Sequence, residues 1–114
     1  MTDCIFCRIG SGEIPAKLAA KGDGVLAFYD LNPQAPVHLL VIPTRHLSGA
    51  NAVTALDRIV WSQVMSLAIQ VAREQGIADS GYRLVVNQGR DGGQSVEHLH
   101  VHVLGGRRMA WPPG

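Results

Sequence analysis

The chain has 114 residues, 46% of them hydrophobic, and carries ten basic against nine acidic side chains for a formal charge of +1. That length suits one domain spanning 1–114, burying about two thirds of the surface its unfolded form exposes. The balanced charge, with no Lys/Arg stripe, excludes the electrostatic footprint of a nucleic acid polymer, so any nucleotide partner is small.

At the N-terminus, Asp3 sits where a secretory leader would be basic. No apolar run approaches the roughly 18 residues that span a bilayer, so the expectation is a soluble, cytoplasmic protein with no membrane partner. "DCIFCRI" predicts a short helix capped by Asp3 and ended by "GSGEIP". "VLAFYDL" and "VHLLVI" read as strands flanking the proline-punctuated loop "NPQAP". Between Val53 and Gly76, Leu56, Ile59, Val60, Val64, Leu67, Ala68 and Val71 recur at the period of a helix face, and Gly76 supplies the stop. "YRLVVN" and "VEHLHVHVL" then read as strands joined by the loop "QGRDGG", which completes an α+β class.

The last of these strands carries three of the five histidines, His98, His100 and His102, at alternate positions. In an extended segment they share one face at intervals of roughly 6.6 Å, and chance places three in this spacing on the order of once in a hundred sequences. The outer pair would stand about 13 Å apart, too far to share one metal ion. A hydrogen-bonded polar face is the bland alternative. The preceding "NQGRDGGQS" weighs against it: Gly89, Gly92 and Gly93 let backbone amides approach an anion, while Asn87, Gln94 and Ser95 offer side-chain donors. A phosphate held there would rest against His100, and imidazole is a competent nucleophile toward phosphorus.

"HLHVHVL" fits the pattern His-x-His-x-His followed by two apolar residues, and the chain resembles the Hint branch of the histidine triad (HIT) nucleotide-binding hydrolases. The likeness runs through "IFCRI", "GEIPAK", "LAFYDLNPQAPVHLLVIP", "GYRLVVNQGRDGGQSVEHLHVHVLGG" and "WPPG". It implies a five-stranded antiparallel sheet with one long and one short helix, dimerising into a ten-stranded sheet. It also implies hydrolysis of purine nucleoside 5′-phosphoramidates, and of aminoacyl-AMP, to AMP or GMP through a nucleotidyl-histidine. The resemblance makes His100 the nucleophile, brings His102 to the scissile phosphate, lets the His98 carbonyl orient His100, and gives His38 a supporting place. It puts Asp30 on the ribose hydroxyls, which by pattern alone is a strand-ending turn residue. Ile5, Phe6, Ile9 and Phe28 become the base pocket rather than ordinary core. Asn87, Gly93, Gln94, Ser95 and Val96 meet the phosphate and leaving group, and Ser95 lends a proton toward the departing amine. Trp111, in a proline-stiffened tail, reaches toward a partner subunit's site. Two rival functions are a dinucleoside polyphosphate hydrolase and a nucleotide-binding regulatory protein with little catalysis.

Cys4 and Cys7 form a C-x-x-C, which by itself divides between a redox pair and half of a zinc site. The redox reading lacks the expected βαβ context. In some members of the wider histidine triad family, such a pair holds a structural zinc with two histidines, and the matching positions here are Cys4, Cys7, His46 and His98. No cofactor is implied for catalysis. The alternative for the cysteines is two thiols that simply pack the short helix.

Overall fold

The computed structural model describes residues 3–114. Five strands form one antiparallel sheet: β1 (Leu18–Gly22), β2 (Val25–Tyr29), β3 (Val37–Pro43), β4 (Tyr82–Val85) and β5 (Val101–Gly105), in the order β1-β2-β3-β5-β4. Among the described residues three α-helices accompany them: α1 (Ile5–Gly10), α2 (Arg58–Glu74) and the single turn α3 (Gly89–Gly92).

The period of two in β2, β3 and β5 sorts their side chains onto two sheet faces. On one, Val25, Ala27, Leu39, Val41, Val101 and Val103 pack with Val64, Leu67, Ala68 and Val71 of α2. On the other, Leu26, Phe28, Leu40 and Ile42 pack with Phe6 of α1. The register sets Leu40 opposite His102 and His38 opposite Leu104, so the histidines of β3 and β5 project from the face that α2 leaves uncovered. Among the described residues, no helix is long and apolar enough to cross a membrane.

Four expectations are corrected. The cap of α1 is Cys4, whose Sγ accepts from the Cys7 amide at 3.4 Å, and not Asp3. The long helix begins at Arg58, after a 3-10 turn over Ala55–Asp57 held by a capping box between Thr54 and Asp57. Asp57 also pairs with Arg45. Of the residues assigned to the helix's apolar face, Leu56 lies in that turn and is 95% exposed, while Ile59 lies within α2 but away from its buried side and is 74% exposed. The end is as read, with Gly76 at φ +76° just beyond it. The loop before the histidines holds the turn α3.

The fourth correction concerns the histidine strand. Pairing begins only at Val101, because the preceding backbone satisfies its polar groups elsewhere: the His98 amide donates to the Val96 carbonyl at 2.9 Å and the Leu99 amide to the Leu47 carbonyl at 2.7 Å. His98 and His100 therefore precede the strand. β1, which the sequence reading passed over, lies at the sheet edge with an irregular register between Leu18 and Ala20.

Candidate active site

A cavity of about 450 Å³ opens on the sheet face away from α2. Ile5, Phe6 and Ile9 of α1, Phe28 of β2, Leu40 of β3 and Val96 give it apolar walls, and Asp30, Ser95, His100 and His102 are among its polar lining groups. Ile14, Pro15, Ala16, Lys17, Tyr29 and Leu31 complete the lining. Sequence reasoning had not singled these out, since nothing in their pattern marks a segment that folds back over a sheet. The mixture of apolar walls and a few convergent polar groups is that of a small-molecule site.

The hydrogen bonds fix the state of each imidazole. His100 Nδ1 lies 2.7 Å from the His98 carbonyl oxygen. A carbonyl only accepts, so Nδ1 carries the hydrogen and the lone pair sits on Nε2 of a ring that lines the cavity. His38 Nδ1 accepts the Gln34 backbone N–H at 3.0 Å, which puts the hydrogen of the neutral ring on Nε2. That nitrogen lies 2.9 Å from His102 Nδ1, with Asp30 Oδ2 at 3.4 Å. The His38 Nε2–H therefore donates to His102 Nδ1, and His102 holds its own hydrogen on Nε2 as a donor for the cavity. Ligating atoms of Asp30, His38 and His102 all lie within 4.8 Å of one another. The amide already seated on His38 Nδ1 suits that trio to a shared proton rather than to a metal ion.

Burial favours the neutral forms of His38 and His102. Desolvation, followed by the neighbouring charges of His100 and His38, pushes His102 down to about 4. Desolvation also lowers His38, against an opposing pull from the Asp30 carboxylate. The unfolded chain takes up protons on both imidazoles near the ordinary histidine value of 6.5, while the folded chain resists, so the unfolded state binds more protons below that pH. Stability falls as pH drops from 6.5 toward about 4, by on the order of 2 kcal/mol at pH 4.5 from His102 alone. Urea midpoints at pH 7.5, 5.5 and 4.5 check this, with His102→Gln expected to flatten the fall; a wild-type midpoint unchanged down to pH 4.5 would refute it.

Asp30 closes a turn and also faces the cavity. Its Oδ1 accepts the Asn32 amide at 2.8 Å, closing the turn after β2, while the residue also lines the cavity and approaches His38. The glycine loop departs from the expected amide cradle. The Gly89 amide donates to Gln94 Oε1 at 2.9 Å, the Gly93 amide to the Arg90 carbonyl and the Gln94 amide to the Gly89 carbonyl. The Gln94 carboxamide further binds the Ser48 and Val96 carbonyls, so it ties loops together instead of facing the cavity. Asn87 and Gly93 are likewise absent from the lining, whereas Ser95 and Val96 belong to it. Trp111 is 81% exposed and stacks on the Arg83 guanidinium of β4 at 5.9 Å, outside this chain's own cavity.

Behind the cavity lies a second cluster. His98 is fully buried, and its Nε2–H donates to the Pro43 carbonyl at 2.8 Å, which leaves the Nδ1 lone pair facing Cys4 Sγ at 3.3 Å, Cys7 Sγ at 3.5 Å and His46 Nδ1 at 3.2 Å. Cys7 Sγ lies 3.3 Å from His46 Nδ1. The four ligating atoms fall within 4.8 Å of one another. Two thiols and two imidazole nitrogens converging on one point, with the buried ring's second nitrogen held by a carbonyl, fit a closed tetrahedral zinc site.

Residues 11–109 match the family profile described as "HIT domain". An uncharacterized HIT-like protein of Synechocystis is 47% identical over 112 residues, covering 98% of this chain and 97% of its own. The crystal structure of a HIT family hydrolase from Legionella pneumophila superposes with a TM-score of 0.96 at 46% identity, covering 98% of this chain and all of that one. A histidine triad nucleotide-binding protein from Candida albicans gives a TM-score of 0.82 at 27% identity, over 96% of this chain and 83% of that one.

Proposed function

The chain belongs to the HIT domain family, and from that premise we propose that it hydrolyses the P–N bond of purine nucleoside 5′-phosphoramidates through a nucleotidyl intermediate on His100. The observation that carries the reading is the state of His100: Nδ1–H spent on the His98 carbonyl and a lone pair on Nε2 of a ring lining an apolar cavity. A nucleophile needs that lone pair, and a pure binding site has no use for it.

The purine enters between the apolar walls, Asp30 takes the ribose hydroxyls, and the α-phosphate meets His100, with His102 Nε2–H donating to a phosphoryl oxygen. His100 Nε2 bonds to phosphorus as the P–N bond breaks, and the departing nitrogen takes up a proton for which the Ser95 hydroxyl is the cavity's donor. Water then attacks phosphorus, the P–Nε2 bond breaks, and the two protons of that water restore Ser95 and complete the nucleoside monophosphate. Donors fixed in advance stabilise the charge that develops at phosphorus, and the apolar walls strengthen them by excluding water.

Cys4, Cys7, His46 and His98 would hold a zinc ion, whose part would be structural, cross-linking the N-terminal helix to the body of the fold. Two chains pair through the β4 edges into a ten-stranded sheet, which carries Trp111 to the partner's cavity.

Rapid quenching of the enzyme with adenosine 5′-phosphoramidate, followed by peptide mass spectrometry, is expected to find AMP on His100. Turnover without an adduct on any histidine would overturn the covalent route. A higher kcat/KM on a dinucleoside polyphosphate than on the phosphoramidate would instead favour the sister activity.

A further inference from the structure

The helix α1 and its cap residue Cys4 serve two sites at once. At about 100° per residue, Cys4 and Cys7 fall on one side of the helix and Ile5, Phe6 and Ile9 on the opposite side. The first pair faces His46 and His98, while the second set walls the nucleoside cavity. Phe6 bridges them: its ring meets His98 edge-on at 5.9 Å, His100 at 5.2 Å and Phe28 at 5.5 Å. The helix takes no part in the sheet.

We propose that Cys4, Cys7, His46 and His98, by holding a zinc ion, act as positioning residues for the nucleoside, so that metal loading and nucleotide affinity are thermodynamically coupled through α1. This rests on the zinc reading of the cluster. The ion fixes the face of α1 that carries the thiols, and the opposite face then stands preformed as one wall of the base pocket. Without the ion, part of the nucleotide's binding free energy goes into ordering that wall, and affinity drops. The reaction itself is spared. The bond from His100 Nδ1 reaches the His98 backbone carbonyl, and the His98 ring keeps its own bond to the Pro43 carbonyl, so neither contact passes through the metal. Loss of metal is therefore a KM effect with little change in kcat.

Linkage makes the coupling reciprocal: whatever factor the ion adds to nucleotide affinity, the nucleotide adds to zinc affinity. The first measurement compares AMP binding by calorimetry in zinc-loaded protein, in protein stripped by a chelator, and in the Cys4→Ala/Cys7→Ala variant. AMP affinity is expected to fall about tenfold or more without the ion, with KM following and kcat held within about threefold. The second keeps the wild-type chain folded throughout, competing it for zinc against a chromophoric chelator with and without saturating AMP. Zinc affinity is expected to rise by the same factor. An AMP affinity indifferent to zinc, a zinc affinity indifferent to AMP, or the lack of one zinc per chain overturns the proposal. Should phosphoramidate turnover be absent, the hydrolase reading fails while the AMP–zinc linkage stands or falls on these titrations.

Discussion

His100→Ala is expected to lower kcat/KM for adenosine 5′-phosphoramidate by at least about a thousandfold while leaving AMP affinity within a few fold. The asymmetry follows from where the side chain acts. Purine binding draws on Ile5, Phe6, Ile9 and Phe28, none of which the substitution touches, whereas bond formation to phosphorus needs the single lone pair on His100 Nε2. His98 has its two ring nitrogens committed to Pro43 and the cysteine cluster, and His102 Nδ1 accepts from His38, so neither neighbour is poised to take over. Steady-state kinetics and AMP calorimetry on the same preparation check both halves. Turnover near the wild-type rate would end the covalent assignment, and an equal loss of AMP affinity would mean the site had collapsed rather than lost its nucleophile.

The second large effect belongs to His38, which need not touch substrate. His38→Leu is expected to cost about a hundredfold in kcat, the scale of removing one preorganised donor to a transition-state oxygen. His38 holds its hydrogen on Nε2 because the Gln34 amide occupies Nδ1, and that Nε2–H obliges His102 to keep its own hydrogen on the cavity side. With leucine in place, His102 is free to protonate Nδ1 toward Asp30 and present a lone pair to the phosphate, which repels. His38→Gln should restore most of the rate, because a glutamine amide nitrogen reaches about as far as Nε2 and donates in the same direction. Nitrogen NMR of the labelled imidazoles supplies a readout that simple destabilisation would not move: wild type and His38→Gln should show His102 protonated at Nε2, and His38→Leu a mixture. An Nδ1-protonated His102 in the wild-type protein would remove the basis of the argument.

The legible parts of the molecule were those in which a local pattern decides the outcome. The apolar runs "VLAFY" and "VHLLVI", parted by a proline-punctuated loop, place β2 and β3, and the spacing of Val64, Leu67, Ala68 and Val71 places the buried face of α2. The start of β5 was not legible. A Leu47 carbonyl that is remote in sequence captures the Leu99 amide and turns the chain before His100, which no local pattern encodes. The site divides the same way. The identities of His100, His102, Asp30, Ser95 and the apolar wall could be carried over from the family resemblance, and the cavity contains them. The Gln34 amide and the Pro43 carbonyl, which decide the states of His38 and His98, are backbone groups that carry no residue signature. The partners of Gln94 were illegible for a related reason: a carboxamide next to a glycine loop looks like an anion ligand, and the folded loop supplies three backbone groups that hold it.

The sheet separates its duties by face. Val41, Val101, Val103 and the helix residues they touch lie on one side, and the histidines with Phe6, Phe28 and Leu40 lie on the other. An engineer seeking heat tolerance could repack the helical side, exchanging aliphatic volumes between α2 and the strands, with the reacting atoms shielded by the thickness of a backbone layer. In many enzymes hardening and turnover compete for the same residues; here the two ambitions address opposite surfaces of one ribbon.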